Sequence, residues 1–168
     1  MQKTARNDGT IAATGYRERL SPSLWVLASA AVVAPMAGLV FVPIDHTLSL
    51  AIGITVGVLT VALLVGLSPV IAVENGMLRA GRARIPVELL GEPTALEGDD
   101  ARQGRGVGLD PRSWHVIRGG IDGLVTIPVI DPDDPTPAWT LSTRTPDRLA
   151  AAVRRAQAVA TTPRTPRR

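Results

Sequence analysis

Between residues 20 and 73 the chain carries one carboxylate, Asp45, and neither lysine nor arginine. Two apolar runs, residues 24–42 and 48–67, fill that gap, and neither keeps the polar stripe by which an amphipathic helix faces water. At 1.5 Å per residue each run makes a helix of roughly 30 Å, the thickness of a bilayer's hydrocarbon core. Only Pro43 to Thr47 separate them, so the helices must run antiparallel, which predicts an N-terminal transmembrane helical hairpin within residues 21–69. Pro35 is expected to kink the first helix, a defect that membranes accommodate. Ala28-Ser29-Ala30 superficially fits a signal-peptide cleavage pattern, but it falls inside too long an apolar stretch and a second span follows.

After the second run the period shortens. Residues 70–80 read as a β-hairpin around Asn75-Gly76, the dipeptide suited to a type I′ turn. A two-residue loop sets Ile71 opposite Ala80 and Val73 opposite Leu78 on an apolar face, with Ala72, Glu74 and Arg79 on the other. Further short strands are expected at 83–87, 94–97, 114–118, 124–130 and 138–142, between Gly, Pro and Asp clusters. Pro86 and Pro128 place two of these at sheet margins. Residues 98–108 read as a solvated loop. Thr145-Pro146-Asp147 opens a helix to about residue 160, with Leu149, Ala152, Val153, Ala156 and Ala160 on one stripe. The expected fold class is therefore an α+β membrane protein: the hairpin, then a small antiparallel β-rich cytoplasmic domain at 70–160, closed by a C-terminal helix. A cytoplasmic segment, residues 1–20, precedes the hairpin, and a disordered basic tail, 161–168, ends the chain.

Composition sharpens the picture. No cysteine occurs, which excludes a disulfide scaffold, thiolate metal sites and a cysteine nucleophile. Hydrophobic residues make up 45% of the 168 positions and mean hydropathy is +0.19, outside the range of disordered chains. The net charge of +3 balances 18 basic against 15 acidic residues. With one Tyr and one Phe there is little for bases to stack on, so no nucleic-acid partner is expected. Arginines lie before the first run (Arg17, Arg19) and after the second (Arg79, Arg82, Arg84), and none lies in the connection. That asymmetry puts both termini in the cytoplasm, with Arg79, Arg82 and Arg84 near lipid, where they either orient the chain or meet anionic headgroups. Ala34 with Gly38, and Gly53 with Gly57, form small-xxx-small pairs that let helix backbones approach, within the hairpin or between copies of the chain.

Neither run holds an ionisable residue, which argues against a proton relay, a voltage sensor or ion-coupled transport. Asp131, Asp133 and Asp134 are the weak candidates for a divalent cation, with Arg144 to meet a phosphate, although Asp-Pro pairs also form turns. His46 and His115 lack further ligands at useful spacing. Phosphate-cradling and nucleophile-elbow signatures are absent. No cofactor is expected. Two functions compete: a non-enzymatic anchor that holds the β domain at the inner leaflet to bind protein or lipid headgroups, and a membrane-attached, metal-dependent enzyme acting on phosphate esters.

Several segments together carry a family resemblance: Tyr16-Arg17-Glu18-Arg19-Leu20, the stretch from Leu78 to Pro86, Asp110-Pro111-Arg112, and Asp131 to Pro137 leading to Trp139 and Ser142-Thr143-Arg144. In these the chain resembles the actinobacterial domain-of-unknown-function 3093 family over roughly residues 16–159, although an aromatic residue is more usual where Ala138 stands. The resemblance implies a small bacterial membrane protein and brings no catalytic residue. In architecture alone, the order of elements is similar to bacterial proteins whose two membrane helices precede a pleckstrin-homology-like β domain.

Overall fold

The computed structural model describes residues 15–161; residues 1–14 and most of the expected basic tail lie outside them. Alternation of apolar and polar residues forms the first sheet. Strand β1 (Tyr16–Arg19) pairs with β2 (Val70–Glu74), β2 with β3 (Met77–Ala80), and β3 with β4 (Ala83–Pro86), all antiparallel. The β2–β3 register is the expected one, Ile71 opposite Ala80 and Val73 opposite Leu78. Its turn uses positive φ at Asn75 (53°) and Gly76 (74°), as a type I′ turn requires.

A second four-stranded sheet has the order β5-β7-β8-β6, built from β5 (Thr94–Leu96), β6 (Trp114–Val116), β7 (Gly123–Pro128) and β8 (Ala138–Thr143). A 3-10 turn at Val87–Leu89 leads from the first sheet toward it. Helix α4 (Pro146–Thr161) packs on β2, β5, β7 and that turn. The core gathers Leu20, Ile71, Leu78, Val87, Ile127 and Leu141 from the sheets and turn with Leu149 and Val153 of the helix. Ala156 is only partly buried and Ala160 is exposed, so the helical stripe closes the body over its first three turns.

The expected fold class needs correction. The apolar helices are not an N-terminal hairpin followed by a β domain. They are α1 (Leu24–Leu39) and α2 (His46–Gly66), inserted between β1 and β2, two neighbouring strands of one sheet. Tyr16–Arg19, expected to precede the domain, is its first strand, because its alternating side chains complete the sheet edge beside β2. Of the two helices only α2, with 21 residues, is long and apolar enough to cross a membrane; the apolar run at 24–42 ends its helix at Leu39 and turns through Val40–Ile44, so α1 has 16 residues. A membrane-protein fold is therefore not supported by the architecture, which is α+β with two four-stranded sheets and four helices among the described residues.

The β domain is not wholly antiparallel either, for β6 runs parallel to β8, with Trp114 opposite Trp139. The expected loop at 98–108 contains α3 (Gly98–Arg105), which buries Ala101 and is pinned by Arg105 donating to the carbonyls of Ile121 (2.6 Å) and Asp122 (2.7 Å). Pro86 ends an edge strand as expected, whereas Pro128 ends β7, an inner strand, and its carbonyl accepts from Gly91 at 2.8 Å.

Candidate functional site at the foot of the helix pair

Both ends of the helical insertion leave the sheet at one point. Arg19 faces Val70 across β1 and β2, and Leu20 N–H donates to Pro69 at 2.9 Å. Arg19 also donates from Nη2 to the Val65 carbonyl at 2.7 Å, putting a cation at the C-terminal end of α2, which has no basic residue in its own last turn.

Beside this foot lies a polar network. The Glu18 carboxylate, 13% exposed, accepts from Tyr16 Oη (2.6 Å), Thr143 Oγ1 (2.5 Å) and the Arg144 amide (3.0 Å). The Thr145 hydroxyl lies 3.0 Å from Tyr16 Oη, placed to donate to it. Arg144 extends its guanidinium over the same carboxylate at 3.6 Å, and Nη2 donates to the Ser21 carbonyl at 2.9 Å. Burial raises the Tyr16 pKa, and donation to Glu18 raises it further, because the phenolate would sit beside a carboxylate. The network ties β1 to the end of β8 and the start of α4, holding the polypeptide that leads into α1.

The arginines expected near lipid come together at the same end. Arg79 and Arg84 face each other across β3 and β4, and Arg82 sits in the tight connection between those strands. There Gly81 N–H donates to Val70 at 2.9 Å, and Gly81 comes close to Pro69. Arg82 stacks 5.8 Å from the centre of the Trp114 ring, a cation–π distance; Trp114 in turn lies 6.1 Å from Trp139. Ala34, Gly38, Gly53 and Gly57 lie where α1 and α2 touch. A Cβ on Gly38 would come 2.8 Å from the Ser49 carbonyl, one on Gly53 3.1 Å from the Ala34 carbonyl, and one on Gly57 2.9 Å from the Ala34 Cβ.

Next to the network opens a cavity of about 400 Å³ lined by Glu97, Gly98, Gly120, Asp122, Gly123 and Arg144 among others. It adjoins the foot twice: through Arg144, which holds Ser21, and through Gly120, where a Cβ would come 2.8 Å from that of Ser23. Gly123 admits no side chain, since a Cβ there would meet the Thr143 carbonyl at 2.5 Å and Pro146 at 2.9 Å.

Comparison with known proteins gives one result. A family described as "Protein of unknown function (DUF3093)" matches residues 15–153. The chain belongs to this family. No curated protein and no solved structure matches it. The matched range begins at β1 and takes in both sheets, the helical insertion and the first half of α4. Two segments quoted for the family resemblance, Tyr16 to Leu20 and Ser142 to Arg144, meet in the Glu18 network although the whole body separates them in sequence.

Two of the three candidate aspartates cap turns. Asp131 Oδ1 accepts from the Asp133 amide at 3.0 Å, and Asp134 Oδ1 from the Thr136 amide at 2.8 Å; both are side-chain caps of turns. The bond to Thr136 holds Asp134 below the usual carboxylate range. Arg144, which the enzyme reading joins to them, bonds none of them: it pairs with Glu18 and donates to the carbonyls of Arg19 and Ser21. Among the described residues no three His, Asp or Glu side chains gather as a metal site. Sequence reasoning placed Tyr16, Glu18 and Thr143 in the family resemblance but gave them no role, and it missed the cavity, since the partners of each residue lie at the far end of the chain.

Proposed function

We propose that the helix pair sits in a lipid bilayer and that the protein is a non-enzymatic anchor holding its two-sheet body at the inner leaflet to bind headgroups or a protein. One observation carries this reading. The helices turn their large apolar side chains outward, Leu24 and Trp25 each 83% exposed and Met36, Leu50, Ile54, Leu63 and Leu67 all exposed, while Ser29, Ser49, Thr60 and Ser68 each donate to a helix carbonyl. Water rewards neither arrangement, whereas hydrocarbon requires both, because it solvates no polar group.

Helix α2, at ~31 Å, matches the hydrocarbon thickness, and α1, at ~24 Å, packs against it. Both ends of the insertion return to the same sheet, so the body stays on one side. Arg17, Arg19, Arg79, Arg82 and Arg84 lie on that side and the connecting turn has no basic residue, which favours a cytoplasmic body and both termini inside.

Cysteines placed singly at Thr47→Cys and Gln103→Cys test the arrangement on intact cells with an impermeant thiol reagent. Labelling at 47 and protection at 103 is the expected result. A full-length chain that remains monodisperse in buffer without detergent, and fractionates away from membranes, overturns it.

A further inference from the structure

The cavity beside Arg144 has a lining of opposed charges, of which Glu97 and Asp122 take no part in the Glu18 network. Its cation is the Arg144 guanidinium, 43% exposed, paired with Glu18 on one side and held by the carbonyls of Arg19 and Ser21 just before α1 begins. Its anions are Glu97 and Asp122. Glu97 occupies the N-cap position of α3 without capping it. Asp122 contributes only its backbone carbonyl, to Arg105. Neither carboxylate has a hydrogen bond or ion pair with another described residue. Gly98, Gly120 and Gly123 also line it, and at Gly98 the space a Cβ would take is open.

We propose that this cavity binds a phosphorylated primary amine, the chemistry of an ethanolamine phospholipid headgroup. The phosphate meets Arg144 and the ammonium meets Glu97 and Asp122. A primary ammonium brings three N–H donors to two unpartnered carboxylates. Choline has no N–H to give them, and the lining contains none of the aromatic rings that receive a quaternary ammonium. A glycerol headgroup brings only the phosphate's negative charge to a site where Glu97 and Asp122 already add to Glu18. About 400 Å³ is within the range of small-ligand sites. The lipid source rests on the bilayer reading, under which Arg144 stands where the chain enters the membrane; glycerophosphoethanolamine in solution carries the same chemistry.

The test uses the full-length chain in detergent, offered equal amounts of phosphatidylethanolamine, phosphatidylcholine and phosphatidylglycerol, with retained lipid read by native mass spectrometry. Phosphatidylethanolamine retained about tenfold above the others, with the preference lost in Glu97→Gln/Asp122→Asn, is the expected result. Equal retention of the three lipids, or a preference unchanged in the double variant, overturns it. Both substitutions fall on exposed side chains outside the Glu18 network, and Asp122→Asn alone, expected to lose part of the preference, serves if the double variant melts early. Titration with glycerophosphoethanolamine separates the sources: displacement of bound lipid at equal concentration assigns the site to the free headgroup, and resistance to large excess assigns it to the lipid. Should the chain prove soluble without detergent, the bilayer reading fails, and the same titration then decides the pocket alone: binding lost in Glu97→Gln/Asp122→Asn upholds it, and no binding overturns it.

Discussion

Leu63 on α2 and Leu141 on β8 are the same residue in opposite circumstances: the first is mostly exposed and the second fully buried. In the two-sheet body large side chains point inward, to Ile71, Leu78, Ile127 and Leu149. In the helix pair the large side chains point outward and the contact is made by Ala34, Gly38, Gly53 and Gly57. The body is held by removal of apolar area from water. Under the bilayer proposal the helix pair is held by close backbone contact and by hydroxyls such as Ser49, which donates across the helices to Gly38 at 2.8 Å.

That contrast can be broken most sharply at its two leucines. Leu141→Ala is expected to destabilise the body by about 2–5 kcal/mol, whereas Leu63→Ala should stay within about 0.5 kcal/mol, both read by denaturation in detergent. A large loss at Leu63 would mean that its surroundings are protein. Next in size, Gly38→Leu should cost about 1–3 kcal/mol by overpacking and push α1 from α2, read as a longer spin-label distance between Ala31→Cys and Thr60→Cys; the body's own melting should not move.

Glu18→Gln probes the junction of the two regions. Removal of the carboxylate from three donors should cost about 1–3 kcal/mol and lower the titration of Tyr16, the chain's single tyrosine, followed by phenolate absorbance. In the parent chain the raised Tyr16 value means that the folded state holds its proton longer than the unfolded one. Its contribution to stability is therefore complete below the ordinary tyrosine range, near pH ~10, and lost as pH climbs through the raised value. Smallest of all, Asp134→Ala should cost under about 1 kcal/mol as the loss of one turn cap, and calcium or magnesium should leave the melting temperature of the detergent-solubilised chain unchanged. A metal-dependent rise abolished by that substitution would restore the enzyme reading.

What the sequence made legible follows from range of interaction. The Asn75-Gly76 turn and its register are local, and alternation over a few residues specified both. Helix α4 was equally plain from Thr145-Pro146-Asp147. Residues 98–108 read as a solvated loop because Asp99, Asp100, Arg102 and Arg105 make the segment polar, although the same acids at the start of α3 and arginines at its end complement the helix dipole. Strand β1 was hidden by its neighbours: Tyr16–Arg19 is short and charged, and its partner β2 lies beyond the apolar runs. For the same reason the Glu18 network could not be read from sequence, since Thr143 and Arg144 reach it only after both sheets have closed. The helix interface was visible as small-residue spacing, but which face of each helix it occupied was not.

The insertion between β1 and β2 sets an order of events during synthesis. Tyr16–Arg19 emerges from the ribosome long before Val70–Glu74, so the edge of the first sheet waits unpaired while α1 and α2 are made. Closure of so long a loop carries an entropic cost that falls once the helices have packed and bring Arg19 and Val70 back to one point. The body thus completes itself only after the apolar segment has found its place, and a chain whose helices fail to settle also leaves its first sheet without an edge.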